Sequence, residues 1–555
     1  MDIYQITIFL IMLYWLCVIY ANKTGLLEKH NITSHGPLLM IRTKLGLDIF
    51  DRLSKPKKFW NIYGNIGILL MFIGMIAMTI IFIKSDMIIL SSIMNDSLPD
   101  PGKFNHPRNI FLIPGVNEFI PLIWGFIGIV ITLVVHEMSH AISGRSEDVN
   151  VKSTGLLVAG LPIGGFAELD EEHMFNKDKN SKSLSRLGQL RILSSGITAN
   201  FIVAFIAFGL LFGPVMGSIQ PVSDATLQPI GSDDNDNMLE ISSSGMVITS
   251  VNNVSVNNTN SVLDVIQEQY DNGIRDISLG VVDDGHHTTY DIELNQSTYD
   301  QIVGTWIIDI VEDSPADKMN ISKGERITHI NNVALDDWEQ FEQYMSNTTP
   351  EQDVTIQTID HTSPYKKYSY NLTLDSNPYQ TNGTEDSGFI GVVYTRTPIV
   401  FIDDSIMIGD YQASGRLDVV KSIPENLDNR FGWGMLFGLP ISGIYGNDGF
   451  AGFTDETIDY YKVTGFAEDS GKVMFWLTNL LLWVGWLNFY VGLFNCIPSI
   501  PLDGGYSLSG VLESMFRKIG KSEYTAYRWS ILVTKLLTMF FIVSILVMII
   551  SPYFK

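Results

Sequence analysis

The stretch Val134-Val135-His136-Glu137-Met138-Ser139-His140 closes an apolar run that begins at Phe119. On a helix, residues four apart share a face, so His136 and His140 can present their imidazoles to one metal ion with Glu137 beside them. A His-Glu-x-x-His string arises by chance roughly once in a hundred chains of this length, usually on a solvated helix. Here it lies at membrane depth, where ionisable side chains are costly unless paired or functional. Three of them in one span predict a Zn²⁺ site, with Glu137 as the general base for hydrolysis.

A catalytic zinc site of this kind takes three protein ligands and keeps one position open. Asp503 is the candidate third ligand. It lies in Asn495-Cys496-Ile497-Pro498-Ser499-Ile500-Pro501-Leu502-Asp503-Gly504-Gly505, read as the end of a span where two prolines and two glycines break the helix and present the carboxylate.

The surrounding chain has the composition of a membrane protein. Of its 555 residues 46% are hydrophobic and 17% charged, against about 25% charged in an average soluble domain. A bilayer core needs about 20 apolar helical residues. Runs at 3–21, 61–83, 119–135, 192–217, 473–502 and 529–552 meet that need in whole or large part, which predicts about six transmembrane helices. The first lacks a basic lead and a small-residue cleavage site, so it reads as a retained anchor. Basic clusters follow the first, third and fifth runs, and such clusters mark cytoplasmic loops. Both termini and the 218–472 insert are then expected to be extracytoplasmic, which agrees with sequons at Asn253, Asn257, Asn295, Asn320, Asn347, Asn371 and Asn382. The formal charge of -24 concentrates in this insert and argues against a nucleic-acid partner. Cys17 and Cys496 both lie in apolar runs, so neither a disulfide framework nor a cysteine metal site is expected.

Taken together these residues resemble the site-2 protease family of intramembrane metalloproteases. Its members carry His-Glu-x-x-His on one core span and Asn-x-x-Pro-x-x-x-Leu-Asp-Gly on a later one, matched here by His136 to His140 and by Asn495 to Gly504. A Gly-x-x-x-Asn pattern on the intervening span matches Gly196 to Asn200, although the proline that commonly follows the glycine is Ile197. The resemblance implies a zinc-dependent endopeptidase of the cell membrane that cuts membrane-spanning protein substrates within the lipid bilayer. Its metal ligands would be His136, His140 and Asp503, its base Glu137, and Asn200 would orient substrate or stabilise the oxyanion. The glycine-rich stretch 155–168 looks like the family's re-entrant hairpin, which offers an edge strand to unwound substrate.

Within the insert, Gly245 to Asn253 and Gly324 to Asn332 share Gly-x-x-Ile-Thr-x-x-Asn-Asn at identical spacing. This resembles a pair of PDZ-like domains at about 240–300 and 301–375, with a helix expected at 336–345. The uncharged run 431–446 is short for a span and reads as interfacial or packed under that pair. The expected organisation is therefore 1–115 with two spans, 116–217 with the zinc helix, a β-rich insert at 218–472, and 473–555 with Asp503 and the last span. A competing reading is a membrane-anchored PDZ sensor or scaffold with a non-catalytic zinc site; the presence of Glu137 speaks against it. A membrane-tethered protease acting on cytoplasmic loops would instead need a downstream glutamate ligand.

Overall fold

The computed structural model describes residues 3–43, 47–95, 97–99, 101–102, 105–109, 113–159, 161–170, 184–229, 245–283, 285–293, 305–335, 338–360, 366–377, 387–394, 400–401, 406–440, 452–455 and 457–554. They divide into two units. The first comprises Met1–Pro214, Gly434–Gly452 and Leu477–Lys555, and the second Val215–Trp433 and Phe453–Trp476.

The first unit is built on helices. Among the described residues five are long and apolar enough to cross a bilayer: α2 (Lys57–Met94), α3 (Leu122–Ser146), α4 (Arg186–Leu210), α5 (Lys472–Asn495) and α7 (Glu523–Ile550). They are preceded by α1 (Ile3–Lys23), and α4 continues into a π-helical turn, Leu211–Val215, that contains Pro214. The fifth apolar run is shorter as a helix than in the sequence. α5 stops at Asn495, because Pro498 and Pro501 cannot continue it, and Asp503 does not end that span. It is instead the first residue of a further amphipathic helix, α6 (Asp503–Lys518).

Small residues and buried polar groups hold the helices together, as is usual where lipid removes the hydrophobic drive between spans. Arg191 on α4 donates to Asn61 and Asn65 on α2, at 3.0 and 2.9 Å, and to Glu147 at the end of α3, at 2.9 Å. One guanidinium thus pins three helices. At Gly128 on α3 an added Cβ would lie 3.1 Å from the Trp483 carbonyl of α5, which sets those two positions side by side.

A four-stranded antiparallel sheet accompanies the helices, in the order β1 (Ile32–His35), β2 (Leu38–Thr43), β3 (Val151–Ala159), β4 (Leu161–Leu169). The glycine-rich stretch is therefore a hairpin, extended by two N-terminal strands that the sequence pattern does not announce. Arg42 pairs with Gly155 and Gly155 with Phe166. Among the described residues β4 is an edge strand.

The run 431–446 contributes a short helix, Arg430–Gly438. Its Phe437 carbonyl accepts from Trp486 Nε1 and Tyr490 Oη of α5, both at 3.1 Å. Phe437 therefore packs along α5 between Trp486 and Tyr490, and its backbone oxygen is paired.

The second unit is a duplication. Met246–Val251, Val254–Ser255, Thr259–Asp271, Asp276–Asp283 and His286–Glu293 run strand, short strand, helix, hairpin. Glu325–Ile330, Val333–Ala334, Trp338–Ser346, Asp353–Asp360 and Lys367–Thr373 repeat that order. The shared Asn-Asn pairs are the reason for the match: Asn252 and Asn253, like Asn331 and Asn332, all have φ between 46° and 64°, the conformation of a tight primed hairpin turn. Each repeat has its own apolar core, one around Ile248, Val262 and Leu279, the other around Ile327, Phe341 and Ile356. Ile406–Asp410 returns to pair with Ala225–Pro229 in the first sheet, and Ile219–Pro221 pairs with Tyr461–Val463.

Candidate active site

α3 delivers His136, Glu137 and His140 within little more than one turn, and the start of α6 brings Asp503 to them. His136 Nε2 and His140 Nε2 lie 3.2 and 3.3 Å from Asp503 Oδ2, and 3.1 Å from each other. All three side chains are nearly inaccessible, at 9, 11 and 15% exposure. A tetrahedral zinc with bonds of about 2.0–2.1 Å separates neighbouring donors by about 3.3 Å, so the three atoms form the triangular face such an ion requires. Two imidazoles and a carboxylate are also a donor set suited to zinc. Asp503 Oδ2, aimed at both rings, has no other hydrogen-bond partner, as fits a metal ligand.

The far side of each ring is held by α4. His140 Nδ1 lies 2.8 Å from the Ile192 carbonyl, which can only accept, so Nδ1 carries the proton and Nε2 keeps its lone pair for the metal. His136 Nδ1 lies 3.2 Å from the Asn200 carboxamide. Between these two contacts a Cβ at Gly196 would come within 2.6 Å of both rings, so only glycine lets α4 approach the histidines this closely. Tyr63 of α2 and Ser139 of α3 each donate to the Ser195 carbonyl at 2.9 Å, which fixes α4 against α3.

Glu137 points away from the histidines towards the sheet, where its Oε2 accepts from the Ala167 amide of β4 at 2.8 Å. That amide lies on the free edge of the strand. His136, Glu137, His140, Ala167 and Asp503 line one cavity of about 1870 Å³ that continues between α4, α6 and α7. Its far part is charged: Glu513 on α6 pairs with Arg186 of α4 and Arg517, and Arg517 also reaches Glu523 of α7 at 2.5 Å. Of the sequence candidates, His136, His140 and Asp503 come together, Glu137 adjoins them in the cavity, and Asn200 lies behind His136, buried and outside the cavity lining. The Ile192 carbonyl and Ala167 amide escape sequence reading because every residue carries those groups. Gly196 had a signal, as the glycine of the Gly-x-x-x-Asn pattern.

Comparison with known proteins identifies the family. Protease RseP of Yersinia pestis is 24% identical over 437 residues, covering 70% of this chain and 89% of that protein. An uncharacterized protein of Methanocaldococcus jannaschii is 30% identical over 213 residues, 38% of this chain and 52% of its own, so the chain spans about half the length of that relative. The model of peptidase family M50 matches residues 124–409 and 450–539, a stretch that holds His136, Glu137, His140, Asn200 and Asp503. With more than half its length matched, and the metal-type cluster inside the match, this chain is an integral membrane protein of peptidase family M50, the site-2 protease family of intramembrane metalloproteases.

Proposed function

We propose that this protein is a zinc-dependent endopeptidase that cuts the transmembrane helices of other membrane proteins. His136, His140 and Asp503 hold the metal and Glu137 is the general base. The observation that carries the reading is the 3.1–3.3 Å triangle of donor atoms set among apolar helices and open on a cavity that Glu137 also lines. When bound, zinc supplies the Lewis acidity that polarises a scissile carbonyl. Glu137 takes a proton from the attacking water and delivers it to the leaving amide nitrogen. The free edge of β4 receives a stretch of substrate as an added strand, which opens the substrate helix and exposes a carbonyl otherwise locked in its hydrogen bond. A sensor or scaffold with an inert metal would have no use for a carboxylate poised in that cavity.

The same proposal extends to topology. Counting α1, six helices cross the cell membrane, the termini lie outside, and the duplicated unit is a pair of PDZ-like domains on the extracytoplasmic side. Its support is the basic-cluster pattern and the twice-used Asn-Asn turn. Cleavage of a model transmembrane substrate by the purified protein, with metal content measured in parallel, tests the enzymatic reading. Zinc bound at one per chain and cleavage lost on chelation are expected; full turnover by metal-free protein would overturn it.

A further inference from the structure

Ile192, Gly196 and Asn200 are spaced four apart and so lie along one face of α4. On that face the Ile192 carbonyl holds His140, Gly196 leaves room for both rings, and Asn200 meets His136 Nδ1. We propose that Asn200 is a positioning residue for the metal ligand His136, holding its Nδ1–H through the carboxamide oxygen, and does not touch substrate. The inference rests on the zinc reading above, because it needs His136 to bind metal through Nε2.

A histidine that gives Nε2 to a metal carries its proton on Nδ1 and seeks an acceptor there. The atom placed 3.2 Å from Nδ1 is Asn200 Nδ2, which is also a donor, while the acceptor Oδ1 of the same group is buried with no partner. Oxygen and nitrogen of a carboxamide are interchangeable by a half-turn that moves nothing else. That turn replaces an opposed pair of donors by an N–H···O bond. As placed, with a proton on Nδ1, neither carboxamide atom has a matched partner; after the turn only the nitrogen is unmet, so the turn removes a repulsion and satisfies the buried oxygen. Location agrees: Asn200 is wholly buried, and the cavity lined by His136, Glu137, His140 and Asp503 does not include it. A group meant to stabilise charge on substrate would have to face that cavity.

Outer-shell partners of this kind contribute about 10–100-fold to metal affinity. The test is zinc affinity of the full chain in detergent, measured by chelator competition, for wild type, Asn200→Ala and Asn200→Asp, with the absorption spectrum of the cobalt-substituted proteins recorded alongside. Asn200→Ala is expected to weaken zinc about 10–100-fold and to shift the cobalt spectrum. Asn200→Asp, which still offers an acceptor to Nδ1–H, is expected to restore both to near wild type, and thermal melting of the metal-free proteins checks that each is folded. Wild-type affinity in Asn200→Ala, with only kcat reduced, would assign Asn200 to substrate and overturn the proposal. Equal loss of affinity in folded Asn200→Asp would overturn it too. A wild-type chain that binds no zinc would instead bring down the zinc reading beneath it.

Discussion

At the scale of single residues, Glu137 and Gly196 separate chemistry from architecture. Glu137→Gln keeps the side chain's shape and leaves all three donor atoms in place, so zinc content is expected to stay at the wild-type level. Loss of a general base typically costs 10²-fold or more, and single-turnover cleavage of a transmembrane substrate measures it; undiminished turnover would remove Glu137 from the reaction. Gly196→Ala should do the reverse. Its new methyl would meet both imidazoles at about 2.6 Å, and overpacking of this kind costs about 1–3 kcal/mol, so zinc stoichiometry and thermal stability are expected to fall together, with activity lost as a consequence. The candidate ligands could be named from the sequence. The i, i+4 spacing puts His136 and His140 on one face, and the prolines and glycines around Asp503 advertise a broken helix. What holds those ligands was less legible, because a backbone carbonyl such as that of Ile192 has no letter of its own.

Among the elements, β4 is where the protein and an unwound substrate would meet. The helices were readable from their apolar runs and the β3–β4 hairpin from glycines unsuited to a helix. The addition of β1 and β2 was not, since Leu39 pairs with Val158 more than a hundred residues away and nothing local specifies that partner. α6 was also missed as a helix, its charged residues reading as a loop. The free edge of β4 gives a specific expectation. Proline is tolerated on an edge strand where the lost N–H faces outward, as the Ala167 amide does towards Glu137. Ala167→Pro should therefore leave the fold and zinc content intact. It removes the hydrogen bond that holds the Glu137 side chain, so the cleavage rate is expected to drop about ten-fold or more. An unchanged rate would mean that the Ala167 amide does not orient Glu137. Substrates should answer in kind: replacing Gly or Pro near the cut site with Leu stabilises the substrate helix and is expected to slow cleavage, read by gel densitometry over time.

For the whole molecule the question is what the duplicated unit contributes, and its construction suggests a clean experiment. The two repeats have separate cores, with the second drawing only on residues between Ile307 and Tyr394 and the first on residues before Glu293 and on Ile408. Excising 305–394 therefore takes away one complete core without opening the other. The remaining 294–304 and 395–399 stretches, sixteen residues together, must then join the two outer strands of the first sheet, His286–Glu293 and Val400–Phe401. Those strands are five steps apart in the sheet, about 24 Å at about 4.8 Å per strand, and sixteen residues can span about twice that. The shortened protein is expected to fold, to bind zinc as before, and to cut a substrate trimmed of its outer domain at the wild-type rate. If the repeats restrict access, it should also cut substrates with bulky outer domains that the full chain spares. The reason is steric: in the proposed topology the unit is outside the membrane, whereas His136, His140, Glu137 and Asp503 come entirely from α3 and α6, so the excised residues hold neither a ligand nor a base. Loss of cleavage of every substrate by a folded, zinc-loaded deletion would make the second repeat a docking or activating module in place of a size filter. Unchanged discrimination between large and small outer domains would assign the filtering to the first repeat or to the helices.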